Sequence, residues 1–341
     1  MHANAHLSDD KAVAKMGHPE LWFRIERAFT PFATLRNVFL GASKKEANVS
    51  AMGERSQMEI DYVKLESGLK LRRGIGRNSN AKGIVLCLHG FPETIYAWSG
   101  AAGFLVKEYE VHAFDWPGYG LSSRPLSDKF SYSPRGYANV LKDYIQTAGL
   151  DSKRLLVYAT DIGALPVLLL ALEEPHMMRK IIVGDFAPFD RPQYMYENLS
   201  DLKVSGSAEK IRQYMNANKD GILANIFKNG LSKEHQFEVS KEFKDDLSEC
   251  WDGPNMTSVD AFYHYYSFFT RDENYFEANL DRLKTPVKVV WGAVDFYIKK
   301  EMGMELAERI KAPIDLLDGV SHFPHLQDPK HVYEAVHSFF E

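Results

Sequence analysis

From residue 58 onward, short apolar runs alternate with helical patterns, and nothing else in the chain restricts its fold as strongly. Residues 58–65 and 69–75 read as a strand pair turning at Ser67-Gly68. Residues 83–88, 110–114, 155–159, 180–183, 287–291 and 314–317 read as further strands. Helical spacing marks residues 133–148, 162–173, 299–310 and 329–340, and Gly149 is a helix stop. Strands this apolar have no polar face to give to water, so the pattern predicts a mostly parallel sheet flanked by helices on both faces. The alternation is interrupted at residues 186–275, which are helical in pattern and rich in Tyr, Phe and Met. Lying between two strands of the sheet, that segment is expected to be an inserted lid over the strands' carboxyl ends, where open α/β sheets bind ligands. The expected organisation is a helical extension at 1–55, a core domain formed by 56–185 and 276–341, and the helical lid at 186–275.

The 341 residues accommodate one large α/β domain with such an insertion. With 45% apolar and 26% charged residues the chain is globular in composition, and a net charge of -5 offers nucleic acid or an anionic membrane no electrostatic attraction. Two cysteines, Cys87 and Cys250, make neither a disulfide framework nor a zinc set, and Cys87 falls inside an apolar strand. Apolar runs fall short of the roughly 18 residues of a membrane span. The polar start, followed by Asp9, Asp10 and Lys11, does not read as a secretory signal, so a cytoplasmic protein is expected. Within the extension, Leu21, Phe23, Ile25, Phe29, Phe32, Leu35 and Phe39 alternate with Arg24, Arg27 and Arg36 around a helix-breaking Pro31. An amphipathic segment of that kind packs on its own protein, contacts another copy or rests on a membrane surface.

Four short motifs carry chemistry. Tyr158-Ala159-Thr160-Asp161-Ile162-Gly163-Ala164 runs from a strand into a helix through small residue, any, Asp, any, Gly. This is a nucleophile-elbow pattern with Asp as the nucleophile, although an Asp there could also merely cap the helix. Leu88-His89-Gly90-Phe91-Pro92-Glu93 follows a buried strand, as does the loop that donates an N–H to an oxyanion hole. The donors would be Phe91 and Ile162, with His89 a structural part of the loop. Trp291-Gly292-Ala293-Val294-Asp295 and Gly319-Val320-Ser321-His322-Phe323-Pro324 end the last two strands, giving the order nucleophile, acid, histidine. Asp185 competes with Asp295 as the acid, and His325 is a weaker rival to His322 as the base.

These motifs, with Trp98 and the turn Asp115-Trp116-Pro117-Gly118-Tyr119-Gly120-Leu121-Ser122, resemble the epoxide hydrolase and haloalkane dehalogenase branch of the α/β-hydrolase fold. The likeness covers roughly residues 56–185 and 276–341. It implies that Asp161 forms a covalent alkyl ester and that water activated by His322, oriented by Asp295, hydrolyses it. No metal or organic cofactor is implied; the partners are a small apolar substrate and water. Ile162 and Phe91 stand where dehalogenases place halide-holding or carboxylate-gripping side chains, and the His-Gly-Phe-Pro-Glu run is similar to that of epoxide hydrolases. Lid tyrosines would then act as acids on the epoxide oxygen; Tyr214 and Tyr266 lie nearest the family's positions, with Trp98 as a further substrate contact. Ile162 and Thr160 depart from the residues common in epoxide hydrolases. The alternatives are a dehalogenase with an unusual halide site and a non-catalytic small-molecule receptor on the same fold.

Overall fold

The computed structural model describes residues 57–340. The expected extension at 1–55, with its apolar stripe, lies outside the described residues. Eight strands form one sheet: β1 (Glu59–Lys64), β2 (Lys70–Gly76), β3 (Ile84–Leu88), β4 (Glu110–Phe114), β5 (Leu155–Thr160), β6 (Lys180–Gly184), β7 (Val287–Gly292) and β8 (Ile314–Leu317). Their order across the sheet is β1-β2-β4-β3-β5-β6-β7-β8. The β1–β2 and β2–β4 pairs are antiparallel, and all others are parallel. β3 and β5, neighbours at the centre, are buried at every residue, as the absence of polar alternation predicts.

The helices outside the insertion are α1 (Ser99–Leu105), α2 (Pro134–Thr147) and α3 (Ala164–Glu173) before it, and α10 (Lys300–Ile310), α11 (Pro324–Gln327) and α12 (Pro329–Phe340) after it. Ser133 caps α2 by accepting the Gly136 N–H at 3.0 Å, and Pro134 takes the first helical position, where a missing N–H costs nothing. Residues 164–172 of α3 are all buried, so this helix is wrapped on every side rather than amphipathic. Burying each of its leucines contributes about 1.5–3 kcal/mol. The sequence gives no warning of α1. Its run Ser-Gly-Ala-Ala-Gly lacks an apolar period, and the small residues serve close packing, since a Cβ on Gly100 would meet Pro329 at 3.2 Å.

Between β6 and β7 the described chain forms six α-helices and no strand: α4 (Glu197–Asp201), α5 (Ser205–Ala217), α6 (Lys219–Asn225), α7 (Lys241–Cys250), α8 (Ser258–Tyr266) and α9 (Phe269–Ala278). Two buried arginines tie this insertion to the sheet. Arg72 of β2 bonds Asp115 through Nε and grips both oxygens of Asp246 on α7, at 2.6 and 2.8 Å. Arg124 donates to the carbonyls of Gly120, Cys250, Trp251 and Met256, closing the end of α7. No helix among the described residues is long and apolar enough to cross a membrane.

Candidate active site

β5 ends in the 3-10 turn Asp161–Gly163, and α3 begins directly behind it. Asp161 has φ +48°, the left-handed region that a residue with a Cβ enters at a cost on the order of 1–2 kcal/mol. The strain aims its carboxylate out of the sheet's end, with the side chain 18% exposed. Oδ1 accepts the Phe91 N–H at 2.6 Å, and Oδ2 lies 3.5 Å from His322 Nε2. Gly90 is required by this approach, because a Cβ there would stand 2.5 Å from the Asp161 Cβ. Gly163 lets α3 come close behind the turn; its Cβ would meet the His89 carbonyl at 3.0 Å. Ile162 follows Asp161 in the turn, where the first N–H groups of a helix have no partner within the helix.

The 89–93 loop is fixed from below. Trp116 N–H donates to His89 Nε2 at 3.2 Å, so the His89 proton lies on Nδ1 and is donated to the Gly90 carbonyl at 2.8 Å. Burial pushes the His89 pKa down, which keeps the ring neutral. Glu93 accepts the Gly90 N–H at 2.8 Å with one oxygen and bonds His325 Nε2 at 2.7 Å with the other. His325 also stacks on Trp98, ring centres 4.5 Å apart. The rival base is thus committed elsewhere, and the loop of Phe91 is joined to the loop of His322.

His322 is buried, and its Nδ1 bonds Asp295 Oδ2 at 2.8 Å. The other oxygen of Asp295 accepts the N–H groups of Tyr297 and Ile298 at 2.7 and 3.1 Å. Burial opposes a charge on the imidazole, but Asp295 on one side and Asp161 on the other more than offset it, and the His322 pKa is raised well above its ordinary value. Asp185 is wholly buried at the end of β6 and accepts the Gly292 N–H at 2.9 Å. Among the described residues, Asp185, Asp295 and His322 are the one group with the spacing of metal ligands, within 4.8 Å of one another.

Aromatic side chains of the insertion cover these groups. The Phe91 ring stacks on Phe262 of α8 at 4.1 Å, and Trp251, just past α7, lies 6.1 Å from it. Burial, and then the charge of Asp161, raise the phenol pKa values of Tyr119, Tyr265 and Tyr266 well above normal. The hydroxyl of Tyr265 and the indole N–H of Trp251 are buried without a hydrogen-bond partner. Of the three expected substrate contacts, Tyr266 therefore stands in the field of Asp161. Tyr214, the second, is 37% exposed on α5. Trp98, the third, is 0% exposed and packed between His325 and Tyr158. Sequence reasoning passed over Trp251 and Tyr119, although the latter lies inside a motif it singled out.

Comparison with known proteins adds the lineage. The model of the alpha/beta hydrolase fold matches residues 83–329. Epoxide hydrolase 1 of Caenorhabditis elegans is 24% identical over 327 residues, covering 91% of this chain and 78% of that protein. The crystal structure of an epoxide hydrolase from Vigna radiata superposes with a TM-score of 0.66 at 20% identity, over 84% of this chain and 99% of that one. A haloalkane dehalogenase variant from Bradyrhizobium elkanii also superposes with a TM-score of 0.66, at 17% identity, over 83% and 96% of the two chains. At such identities the two structures speak to the fold.

Proposed function

The chain belongs to the alpha/beta hydrolase fold family and is a hydrolase; we propose that it opens epoxides to vicinal diols through a covalent ester on Asp161. The observation that carries this reading is the strained carboxylate itself, held by the Phe91 N–H on one oxygen and facing His322 with the other. A carboxylate is ionised near neutral pH and needs no base to attack. Oδ2 of Asp161 would bond to one epoxide carbon while the C–O electron pair moves to the ring oxygen. A phenol of the insertion, Tyr266 or the unpartnered Tyr265, would give that oxygen its proton or hydrogen-bond it. Oδ1 becomes the ester carbonyl and already lies against the Phe91 N–H. Phe91 and Ile162 would therefore stabilise the oxyanion when water adds.

Esterification also prepares the second step. The raised pKa of His322 depends in part on the Asp161 charge. Converting that carboxylate into a neutral ester removes one of the two anions holding a proton on the ring. His322 can then return that proton to the phenolate left by ring opening and, now neutral, act as the base for water, with Asp295 still orienting it. Water adds to the ester carbonyl, the bond to Oδ2 of the ester breaks towards the product, and the diol leaves with an oxygen that came from Asp161. This balance gives the test: a single turnover in ¹⁸O-labelled water should yield unlabelled diol and place the label on Asp161. Label in the diol from the first turnover would mean direct hydration.

A dehalogenase is the second reading, and one feature favours it. Trp251 offers a buried, unpartnered indole N–H beside Phe91, a donor suited to a departing halide. Halide release from bromoalkanes that outpaces diol formation from every epoxide in a mixed panel would select it.

A further inference from the structure

Two carboxyl groups, rather than one, face the ring of His322 from behind. Asp185 enters from the end of β6 and Asp295 from the loop after β7, and both are buried. Their use of hydrogen bonds is unequal. Asp295 accepts three, from Tyr297 N–H, Ile298 N–H and His322 Nδ1. Asp185 accepts one, from Gly292 N–H, and its second oxygen is buried with no partner. Asp185 is also strained. Its φ is +53°, so, like Asp161, it holds a left-handed backbone that an aspartate adopts only when its surroundings hold it there.

Two like charges this close in a dry interior cannot both persist, so the pair keeps one proton. That proton belongs on the carboxyl with fewer donors, Asp185, whose unpartnered oxygen then becomes a donor. Its available acceptor is Asp295. Burial, followed by the Asp295 charge, pushes the Asp185 pKa well above the carboxylate range, which agrees with the geometry. Tyr158, Asp295 and His322 are among the titratable groups in its electrostatic surroundings.

We propose that Asp185 is a positioning residue that shares one proton with Asp295 and becomes the acid behind His322 when Asp295 is removed. The move required is small. With Asp185 and a ring nitrogen of His322 within 4.8 Å, a shift of at most about 2 Å reaches hydrogen-bond length. The kinetic consequence rests on the reading of His322 as the base for ester hydrolysis; the structural consequence does not.

The test is a double-mutant cycle on the full chain, with Asp185→Asn, Asp295→Asn and both together. Asparagine at 185 still accepts the Gly292 N–H, and at 295 it still accepts the two loop N–H groups, so each variant keeps its local fold; circular dichroism melts check this. The substrate-free readout is the downfield proton resonance of His322 Nδ1–H, assigned by its loss in His322→Ala. It should survive each single change and vanish in the double variant. The kinetic readout is ester hydrolysis with an epoxide: Asp295→Asn should lose about 10–100-fold, against about 10⁴-fold for a triad with no stand-in acid. The double variant should fall to the level of His322→Ala. The proposal is overturned if Asp295→Asn alone abolishes the resonance. It is likewise overturned if adding Asp185→Asn to that variant changes nothing. Should no epoxide be turned over, the resonance still decides it.

Discussion

At the scale of single residues, the site is a set of strained or dry groups whose chemistry follows from their neighbours. The positions of Asp161, His322 and Asp295 were legible in the sequence because each follows a strand through a short, glycine-containing motif. A strand end fixes where a side chain points far better than a helix does. The run Phe262-Tyr263-His264-Tyr265-Tyr266 was not legible in that way. Successive helical residues are rotated by about 100°, and only packing decides which phenol faces inward. Burial and the Asp161 charge single out Tyr265 and Tyr266. Removing the acid for the leaving oxygen should lower the rate of ester formation by about 10²–10⁴-fold. Tyr266→Phe and Tyr265→Phe, followed by stopped-flow with an epoxide, should therefore separate into one variant with a large loss and one with little. If both retain the wild-type rate, neither phenol is the acid.

At the scale of elements, the insertion is held to the sheet by charges buried at its base. Strands were readable to within about a residue or two because continuous apolar runs have sharp ends. The insertion's helices were readable only as a region, since their faces are divided between the sheet, each other and solvent. Arg72 is the strongest tie, and sequence gives no sign of it: its partners Asp115 and Asp246 lie 43 and 174 positions away. Arg72→Ala leaves Asp115 buried and unpaired, and should cost about 3–5 kcal/mol in urea unfolding. A loss under about 1 kcal/mol would show that the contact contributes little. A contact within the insertion is sensitive to pH. Lys203 bridges Asp190 and the wholly buried Glu273 of α9. Burial, only partly countered by Lys203, raises the Glu273 pKa from 4.5 to about 7. The folded chain thus keeps a proton that the unfolded chain releases between those values. Stability conferred below about pH 4.5 is lost as pH rises toward 7, by at most about 3 kcal/mol. Glu273→Gln should flatten that slope in melts taken from pH 5 to 8; an unchanged slope would assign it to other groups.

At the scale of the whole molecule, the sheet fixes three loops at one edge and the insertion closes over them with aromatic side chains. The sheet brings Asp161, Asp295 and His322 together from strands far apart in sequence, with Asp295 and His322 buried, and Phe262, Trp251 and Tyr266 pack around Phe91 beside them. Charges act strongly in such a space. Asp161 can accordingly set the proton affinity of His322, and its proposed esterification would release it. As proposed, this division of labour runs through a covalent intermediate on Asp161. The most direct measurement is the intact mass of the His322→Ala protein after mixing with a reactive epoxide. Asp161 and the oxyanion donors remain in that variant while the water loses its base. The protein should become heavier by one substrate, with the added mass mapping to Asp161, whereas wild-type enzyme accumulates little. A variant that binds the epoxide yet stays at its unmodified mass would rule out the covalent intermediate on Asp161.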